Sequence, residues 1–281
     1  MSAAILDGKE LAKKLLAQIS AQVSSRSSTS KKLGLATVLV GDDAASKSYV
    51  AGKHRDCAEV GISSIKVELE KNASKSQLLD QISKLNNDTN CTGFLVQLPL
   101  PNSFAVTEIL SKISPEKDVD GLTPENLGLL ALGKPRVIPC TARAIQYLLQ
   151  HYRIDIAGRQ VLIIGRGMTV GRPLSILLSS KENNATVTLA HSASKDLPQL
   201  IAKNDVVITA VGKPNWLKSD WVKSDATVID VGITKLADKL VGDCDEKVVQ
   251  NCKFYAPVPG GVGPLTRAML LQNLLDLDAA E

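Results

Sequence analysis

Apolar and polar positions change period several times along this chain, and each change predicts an element. Leu35–Gly41, LATVLVG, is a short continuous apolar run and predicts a buried strand. Ser46–Val60 predicts a helix, and Ser64–Leu69 alternates as a strand does. Ser76–Asn86, SQLLDQISKLN, spaces its apolar residues by three and four, which predicts a helix. Cys91–Leu98 is again strand-like and is closed by PLP. A second series follows. A helix is predicted over Ala142–His151, a strand over Gln160–Gly165 and a helix over about Arg172–Ser179. Strands follow at Thr186–Ala190, Asp205–Val211 and Thr227–Val231, and Leu265–Leu277 is a final amphipathic helix. Strands alternating with helices imply mainly parallel sheets with helices on both faces. The two series meet near Pro139–Thr141, so the expected architecture is two α/β domains.

Length agrees, since 281 residues suit one large domain or two modest ones. An apolar fraction of 44% with 22% charged residues is that of a globular protein rather than a disordered one. The net charge of +4 is mild and scattered, which argues against nucleic acid and leaves anionic small molecules open. The opening MSAAILDGKELAKKLLAQIS has helical apolar spacing and no basic leader, so a helix is expected there rather than a signal peptide. No run approaches the roughly 18 apolar residues of a membrane span. Cys57, Cys91, Cys140, Cys244 and Cys252 form no CxxC pair and are odd in number, which fits free thiols in a reducing cytoplasm. His54, His151 and His191 form no ligand pattern, and no metal is expected. Ser24–Lys32, SSRSSTSKK, reads as a solvated loop.

The most informative stretch is Val161–Ser175, VLIIGRGMTVGRPLS. A strand that runs into glycines and then a helix is a phosphate cradle, because a helix N-terminus presents unpaired N–H groups and a positive dipole end. Gly165, Gly167 and Gly171 give G-x-G-x-x-x-G, one residue longer than the usual dinucleotide fingerprint. Gly165 and Gly167 are expected to allow close backbone approach, and Gly171 to let the helix sit near the sheet. In NAD sites an acid about 20 residues on holds the ribose 2′-hydroxyl. Here ATVTLA runs into His191 and Ser192 instead. A carboxylate would repel a 2′-phosphate, so its absence favours NADP, with Arg166 and Ser192 as phosphate partners. The plainer alternatives are a surface salt bridge for Arg166 and a capped strand end for His191.

In ASKSYVAGKHRDCAEVG, Ser46, Tyr49 and Lys53 fall at i, i+3 and i+7, on one helix face, with Val50, Cys57 and Ala58 expected on an adjoining apolar face. A tyrosine ring can stack on a flat heterocycle while a lysine one turn on moves a proton. The alternative is a partly buried tyrosine beside a solvated lysine. Gly52, unfavourable in mid-helix, is expected to admit a substrate or a backbone. Gln97 closes the strand GFLVQLPLP, where α/β sheets bind ligands. Asp118 and Asp120 in PEKDVDGLTPENLG read either as paired carboxylates or as an Asx turn. PVPGGVGPLT, Pro257–Thr266, reads as a rigid backbone laid against a flat ligand, or as a linker.

Taken in order, YVAGK, VQLPLP, PEKDVDG, PCT, GRGMTVGRP and PVPGGVGPLT resemble the bifunctional methylenetetrahydrofolate dehydrogenase/cyclohydrolase family over essentially the whole chain. The resemblance implies two α/β domains with a cleft between them. Residues 1–140, completed by the C-terminal helix 265–281, would bind folate, and residues 141–264 would be a Rossmann-like domain binding NADP. It implies oxidation of 5,10-methylenetetrahydrofolate and hydrolysis of the methenyl product to 10-formyltetrahydrofolate, a reaction of one-carbon metabolism that serves purine biosynthesis. Tyr49 would stack on the folate, Lys53 would transfer the proton of hydrolysis, Gln97 would hold Lys53, and Asp120 would bind the pterin N–H edge. Val50, Ala51, Gly52, Val96, Leu98, Pro259, Gly260, Gly261, Val262 and Gly263 would line the substrate. Thr141, Gly165, Arg166, Gly167, Ser192, Ile233 and Thr266 would contact NADP. A cytoplasmic homodimer, without nucleic-acid or membrane partners, goes with it. Beside a methenyl cation, repulsion favours an uncharged amine that helps water attack. Hydride transfer needs aligned rings rather than a protein nucleophile.

Three positions depart from the family pattern. GRG stands for the common GRS, PCTARA for PCTPxG, and Ala44 for a frequent proline. Competing readings are a shikimate-type or amino-acid-type dehydrogenase, which would lack the Tyr-x-x-x-Lys helix followed by VQLPLP, and a silent NADP- or folate-binding protein.

Overall fold

The computed structural model describes residues 2–27, 31–236 and 239–279. A two-residue strand, β1 (Ala4–Ile5), precedes helix α1 (Gly8–Ser24). The chain continues through β2 (Gly34–Val40), α2 (Ala44–Val60), β3 (Ser63–Leu69), α3 (Lys75–Asn87) and β4 (Gly93–Val96). Two short helices, α4 (Val106–Leu110) and α5 (Pro124–Ala131), follow.

Every residue of β2 is buried, and β2 lies between its neighbours in a parallel sheet of order β3-β2-β4. A strand covered on both faces reads as an unbroken apolar run, which is what LATVLVG is. At the edge, β3 alternates instead. Ile65, Val67 and Leu69 are half-buried, while Ser64, Lys66 and Glu68 are exposed and blunt the edge against further pairing. Helix α2 starts where the Asp43 carboxylate accepts the Ser46 N–H at 2.7 Å, and ends at Gly61 in the left-handed region at φ 82°.

The second series is α6 (Cys140–His151), β5 (Gln160–Ile164), α7 (Gly171–Leu178), β6 (Thr186–Ala190), α8 (Leu197–Ala202), β7 (Val206–Thr209) and β8 (Thr227–Asp230). A small antiparallel pair, β9 (Thr234–Leu236) and β10 (Lys239–Val241), comes next. Strand β11 (Phe254–Ala256) and helix α9 (Val262–Ala279) end the described chain. The large sheet is parallel throughout, in the order β1-β11-β8-β7-β5-β6. Successive crossovers from β5 go to β6 on one side and to β7 on the other. That reversal makes a crevice at the carboxyl ends of these strands.

Two compact units result. One comprises Lys13–Cys140 and the chain from Arg267 onward; the other comprises Thr141–Thr266 and the residues up to Ala12. Strand β1 explains the early residues' place, since Ala4 and Ile5 pair with Phe254 and Tyr255 at the edge of the large sheet. Two residues are too few to show a period, so nothing in the pattern announces this strand. All five cysteines are buried and stand outside any disulfide. No helix among the described residues is long and apolar enough to cross a membrane.

Candidate active site

In the first unit the decisive side chain is Lys53. Helix α2 buries it to 9% exposure, and its ammonium donates to Gln97 Oε1 at 3.0 Å. Gln97 follows β4 directly and continues the sheet, its N–H bonding to Val38 O at 2.8 Å. Its amide donates to Leu98 O at 2.6 Å, which leaves the oxygen facing the lysine. The pair is therefore preset by helix and strand, and the solvated-lysine alternative does not hold.

Tyr49, one turn before Lys53, is half-buried; burial pushes its phenol up and the Arg267 charge opposes this. Arg267, on α9, reaches across α2 and donates from Nε to Asp56 Oδ2 at 2.7 Å. A Cβ at Gly52 would sit 3.0 Å from the Arg267 guanidinium. Gly52 therefore leaves room for an arginine side chain; among the described residues no other element's backbone comes as close. The apolar face also needs correction. Val50 and Cys57 are buried as expected, but Ala58 is exposed. The inward positions are Ser46, Val50, Lys53 and Cys57, spaced by three and four, and Ala58 lies a further 100° round. His54 turns toward β2, with Nε2 2.8 Å from Thr37 Oγ1, and burial lowers its pKa.

Asp118 and Asp120 have separate tasks. Asp118 is buried and accepts from Gly121 N–H at 2.9 Å, Thr123 N–H at 2.7 Å and Asn126 Nδ2 at 3.0 Å. That is the turn reading, since its oxygens are taken. Asp120 is half-buried beside it. The adjoining Val119 carbonyl is held at 2.8 Å by Asn273 of α9. Among the described residues no group of three or more His, Cys, Asp or Glu is arranged to hold a metal.

Val50 and Val96 are core residues at 4% and 2% exposure, which leaves their backbone for any ligand. Ala51 and Leu98 are half-buried. Pro259, Gly260, Gly261, Val262 and Gly263 belong to the second unit. There Gly260 takes φ +106°, its carbonyl accepts the Lys9 N–H at 2.9 Å, and a Cβ on Gly8 would sit 1.9 Å from Gly261 O. The loop is rigid because it packs backbone on backbone against the start of α1.

In the second unit Gly171 lets α7 sit against the strand end, as expected. Gly165 takes φ +114°, and a Cβ there would sit 2.2 Å from Ala210 O. A Cβ on Gly171 would sit 1.7 Å from Gly165 O. These two glycines press strand ends and helix together. Gly167 meets nothing within 4 Å of a built Cβ, so no protein atom requires a glycine there. Beside this turn lies a cavity of about 380 Å³. Gly165, Arg166, His191 and Ser192 line it, as expected from the ends of β5 and β6. Among the described residues Arg166 pairs with no carboxylate. His191 both lines the cavity and caps its strand, Nδ1 accepting the Ala193 N–H at 3.2 Å, which leaves Nε2 to carry the proton. Thr141, Gly167, Ile233 and Thr266 do not line this cavity, and the Thr266 hydroxyl is spent on Val262 O at 3.0 Å.

Val211, Lys213 and Trp216 also line the cavity, beside Ile164, Leu197 and Ala210, and sequence reasoning singled out none of these six for the site. The signal for Val211 and Lys213 was the AVGKP that follows β7 at the strand's carboxyl end; Trp216 lies just beyond it. The cavity suits a phosphorylated nucleotide. Two cations and a serine hydroxyl face it, no carboxylate lines it, and the Trp216 ring, packed edge-on against Trp221 at 5.6 Å, offers a fixed aromatic wall.

Comparison with known families decides between the readings. Residues 6–120 match the catalytic domain of tetrahydrofolate dehydrogenase/cyclohydrolase, and residues 139–281 match its NAD(P)-binding domain. The chain belongs to the tetrahydrofolate dehydrogenase/cyclohydrolase family. Solved members agree with this. The bifunctional FolD methylenetetrahydrofolate dehydrogenase/cyclohydrolase of Campylobacter jejuni is 40% identical over all of both chains, with a TM-score of 0.94. The FolD of Trypanosoma brucei, solved with NADP cofactor and inhibitor, is 36% identical over 100% of this chain and 98% of that one, with a TM-score of 0.95. Shikimate 5-dehydrogenase of Listeria monocytogenes shares only the fold, at 14% identity over 90% of this chain and 95% of that one and a TM-score of 0.52. As a member of the tetrahydrofolate dehydrogenase/cyclohydrolase family, the chain is an enzyme with a catalytic and an NAD(P)-binding domain. The shikimate-type alternative falls away.

Proposed function

We propose that this chain oxidises 5,10-methylenetetrahydrofolate with NADP⁺ and hydrolyses the resulting 5,10-methenyl cation to 10-formyltetrahydrofolate, with Lys53 as the proton-transfer group. The observation that carries the reading is the 3.0 Å bond between a nine-tenths-buried Lys53 and Gln97. With one neutral oxygen holding Nζ, the lysine keeps capacity for a second partner, and as the amine favoured beside the methenyl cation it offers a lone pair to the attacking water. In hydrolysis, water adds to the methenyl carbon and one carbon–nitrogen bond breaks. Lys53 takes one proton from the attacking water and returns it to the departing nitrogen, while the remaining hydroxyl proton passes to solvent as the formyl C=O forms. Gln97 fixes the lysine without adding a charge that would pair with it. The Tyr49 ring stacks on the substrate, and Asp120 accepts from the pterin N–H edge.

NADP⁺, when bound, supplies the hydride acceptor for the methylene carbon. Gly165 would let its phosphates approach the backbone, and Arg166, Ser192 and Lys213 would hold phosphate oxygens. Preference for NADP over NAD follows from His191 and Ser192 standing where an acid would bind a ribose hydroxyl. The same reading makes the protein a cytoplasmic homodimer whose product serves purine biosynthesis. Five buried cysteines outside any disulfide suit a reducing compartment.

The test follows methenyl absorbance after 5,10-methylenetetrahydrofolate and NADP⁺ are mixed with the protein. Absorbance should rise and then decay as the formyl product forms. A protein that binds both ligands and changes neither would be a silent binder, and the proposal would fail.

A further inference from the structure

Two acids, Asp230 and Asp243, lie at 1% and 0% exposure in the second unit, and catalysis has no use for either. Neither forms an ion pair with a lysine or arginine among the described residues. Their oxygens face backbone N–H groups instead. Asp243 Oδ2 accepts from Val211 N–H at 2.7 Å and Oδ1 from Lys213 N–H at 2.8 Å, and the intervening Gly212 N–H also points to this carboxylate. Asp230 in turn accepts from the Asp243 N–H at 2.9 Å, the Cys244 N–H at 2.9 Å and the Thr209 hydroxyl at 3.3 Å. The main chain of Asp243 extends the grip, its carbonyl accepting the Leu217 N–H at 2.9 Å.

The segment held this way is the one that completes the nucleotide cavity. Val211, Lys213 and Trp216 line it, and residues 211, 213 and 217 are tied to Asp243. Space around the acids is reserved for them. A Cβ on Gly232 would sit 2.1 Å from the Asp243 carboxylate, and one on Gly242 would sit 1.9 Å from Asp230 Oδ2. A carboxylate offers only acceptors, so one side chain serves successive N–H groups. An asparagine of the same shape would turn an NH₂ toward one of them.

We propose that Asp243 is a positioning residue for the cofactor: its buried carboxylate fixes the Val211–Lys213 backbone and so sets the wall that presents Lys213 and Trp216 to the nucleotide. This rests on the reading of the cavity as the NADP site. Asp230 holds Asp243 in place, and Gly232 leaves it room.

The experiment measures NADP⁺ affinity directly, by calorimetric titration of Asp243→Asn, Gly232→Ala and Arg166→Ala, together with dehydrogenase kinetics and thermal melts. Gly232→Ala displaces the carboxylate while keeping it, so the test survives if Asp243→Asn does not fold. Both brace variants should weaken NADP⁺ binding about tenfold, the equivalent of one lost charge-assisted hydrogen bond, and raise KM for NADP⁺ with kcat at saturating nucleotide nearly unchanged. If Arg166→Ala weakens binding while Asp243→Asn and Gly232→Ala stay within about twofold of the parent, a change too small for a lost hydrogen bond, the brace is overturned and the cavity assignment stands. If Arg166→Ala also leaves affinity unchanged, the cavity assignment itself fails. A fall in kcat, in affinity for both substrates and in melting temperature together would make Asp243 merely structural, which also overturns the proposal.

Discussion

The two sites are built from opposite materials. On the proposed folate side, the site is made of side chains carried by regular elements: Lys53 on a helix, Gln97 at a strand end, their contact fixed at 3.0 Å. On the nucleotide side it rests on loop backbone that follows β5 and β7, shaped by Gly165 and Gly171 and held from behind by Asp243. The difference follows from the chemistry. Proton transfer needs one particular atom at hydrogen-bond distance, which only a side chain with a chosen pKa range supplies. Phosphate binding needs N–H groups and clearance, which a backbone supplies once side chains are out of the way. The folate side should therefore break when a functional group is removed, and the nucleotide side when a methyl group is added.

The largest effect should come from the folate side. Lys53→Met keeps the stem and removes the amine, so cyclohydrolase turnover should fall by about 10²–10⁴, the range of a lost general acid–base group. Folate binding should remain measurable by titration, because the proposed ring stack on Tyr49 is untouched. Full hydrolysis by this variant would remove Lys53 from the mechanism. The matching experiment on the other side is Gly165→Ala. Its Cβ lands 2.2 Å from Ala210 O at a φ of +114°, which should cost about 3 kcal/mol of stability. KM for NADP⁺ should rise at the same time, and urea unfolding with steady-state kinetics would show whether the two losses coincide.

The same contrast governs what could be read before any coordinates. Alternation of strand and helix was legible because apolar period is a local property, and β2, α2 and β5 lie close to where the pattern places them. Tyr49, Lys53 and Gln97 were legible because quoted motifs carry them. The inward side of α2 was misjudged at Ala58, since a lysine and a histidine occupy buried positions that periodicity reserves for apolar residues. Strand β1 was invisible for lack of length. Asp243 was invisible for another reason. Its partners lie 30 and 32 residues away, and neither hydrophobic period nor a local motif encodes a carboxylate that serves a distant backbone.

Acid titration sharpens the picture of the nucleotide side. Burial raises the Asp230 carboxyl from its ordinary 3.8 to about 6, with backbone N–H groups of Cys244 and Asp243 opposing. The groups packed against it are Asp243, Cys244, Thr209 and Tyr255. Between these two values the folded chain keeps a proton that the unfolded chain has lost. Stability from this group is therefore complete below about pH 4 and is lost as pH rises through about 6, a decline of about 3 kcal/mol. Asp230→Asn has no such titration. The stability difference between parent and variant, from urea unfolding, should shrink by that amount between pH 4 and 7. Parallel curves would mean that the acid ionises as freely as in water.

Arg166→Gln keeps the length of the side chain and removes its charge. Binding of NADP⁺ should weaken by about 2 kcal/mol, while NAD⁺, which has no 2′-phosphate, should hardly change. Equal losses for both nucleotides would place Arg166 at the pyrophosphate or outside the site.

The smallest effect belongs to Gly167, and it tests the rule that added atoms harm the nucleotide side. A Cβ at Gly165 or Gly171 strikes backbone, whereas one at Gly167 meets open space, and its φ lies outside the left-handed region that disfavours side chains. Gly167→Ser should therefore leave the melting temperature within a degree or so of the parent, as surface substitutions away from strain do. The new hydroxyl stands on the residue after Arg166, where the resembling pattern GRS has one. It should tighten NADP⁺ by no more than about 1 kcal/mol, the net worth of a single neutral hydrogen bond. A destabilised variant would show that Gly167 is constrained by something other than contact. An unchanged affinity would show that the hydroxyl finds no acceptor, and that the loop lies farther from the phosphates at this position than at Gly165.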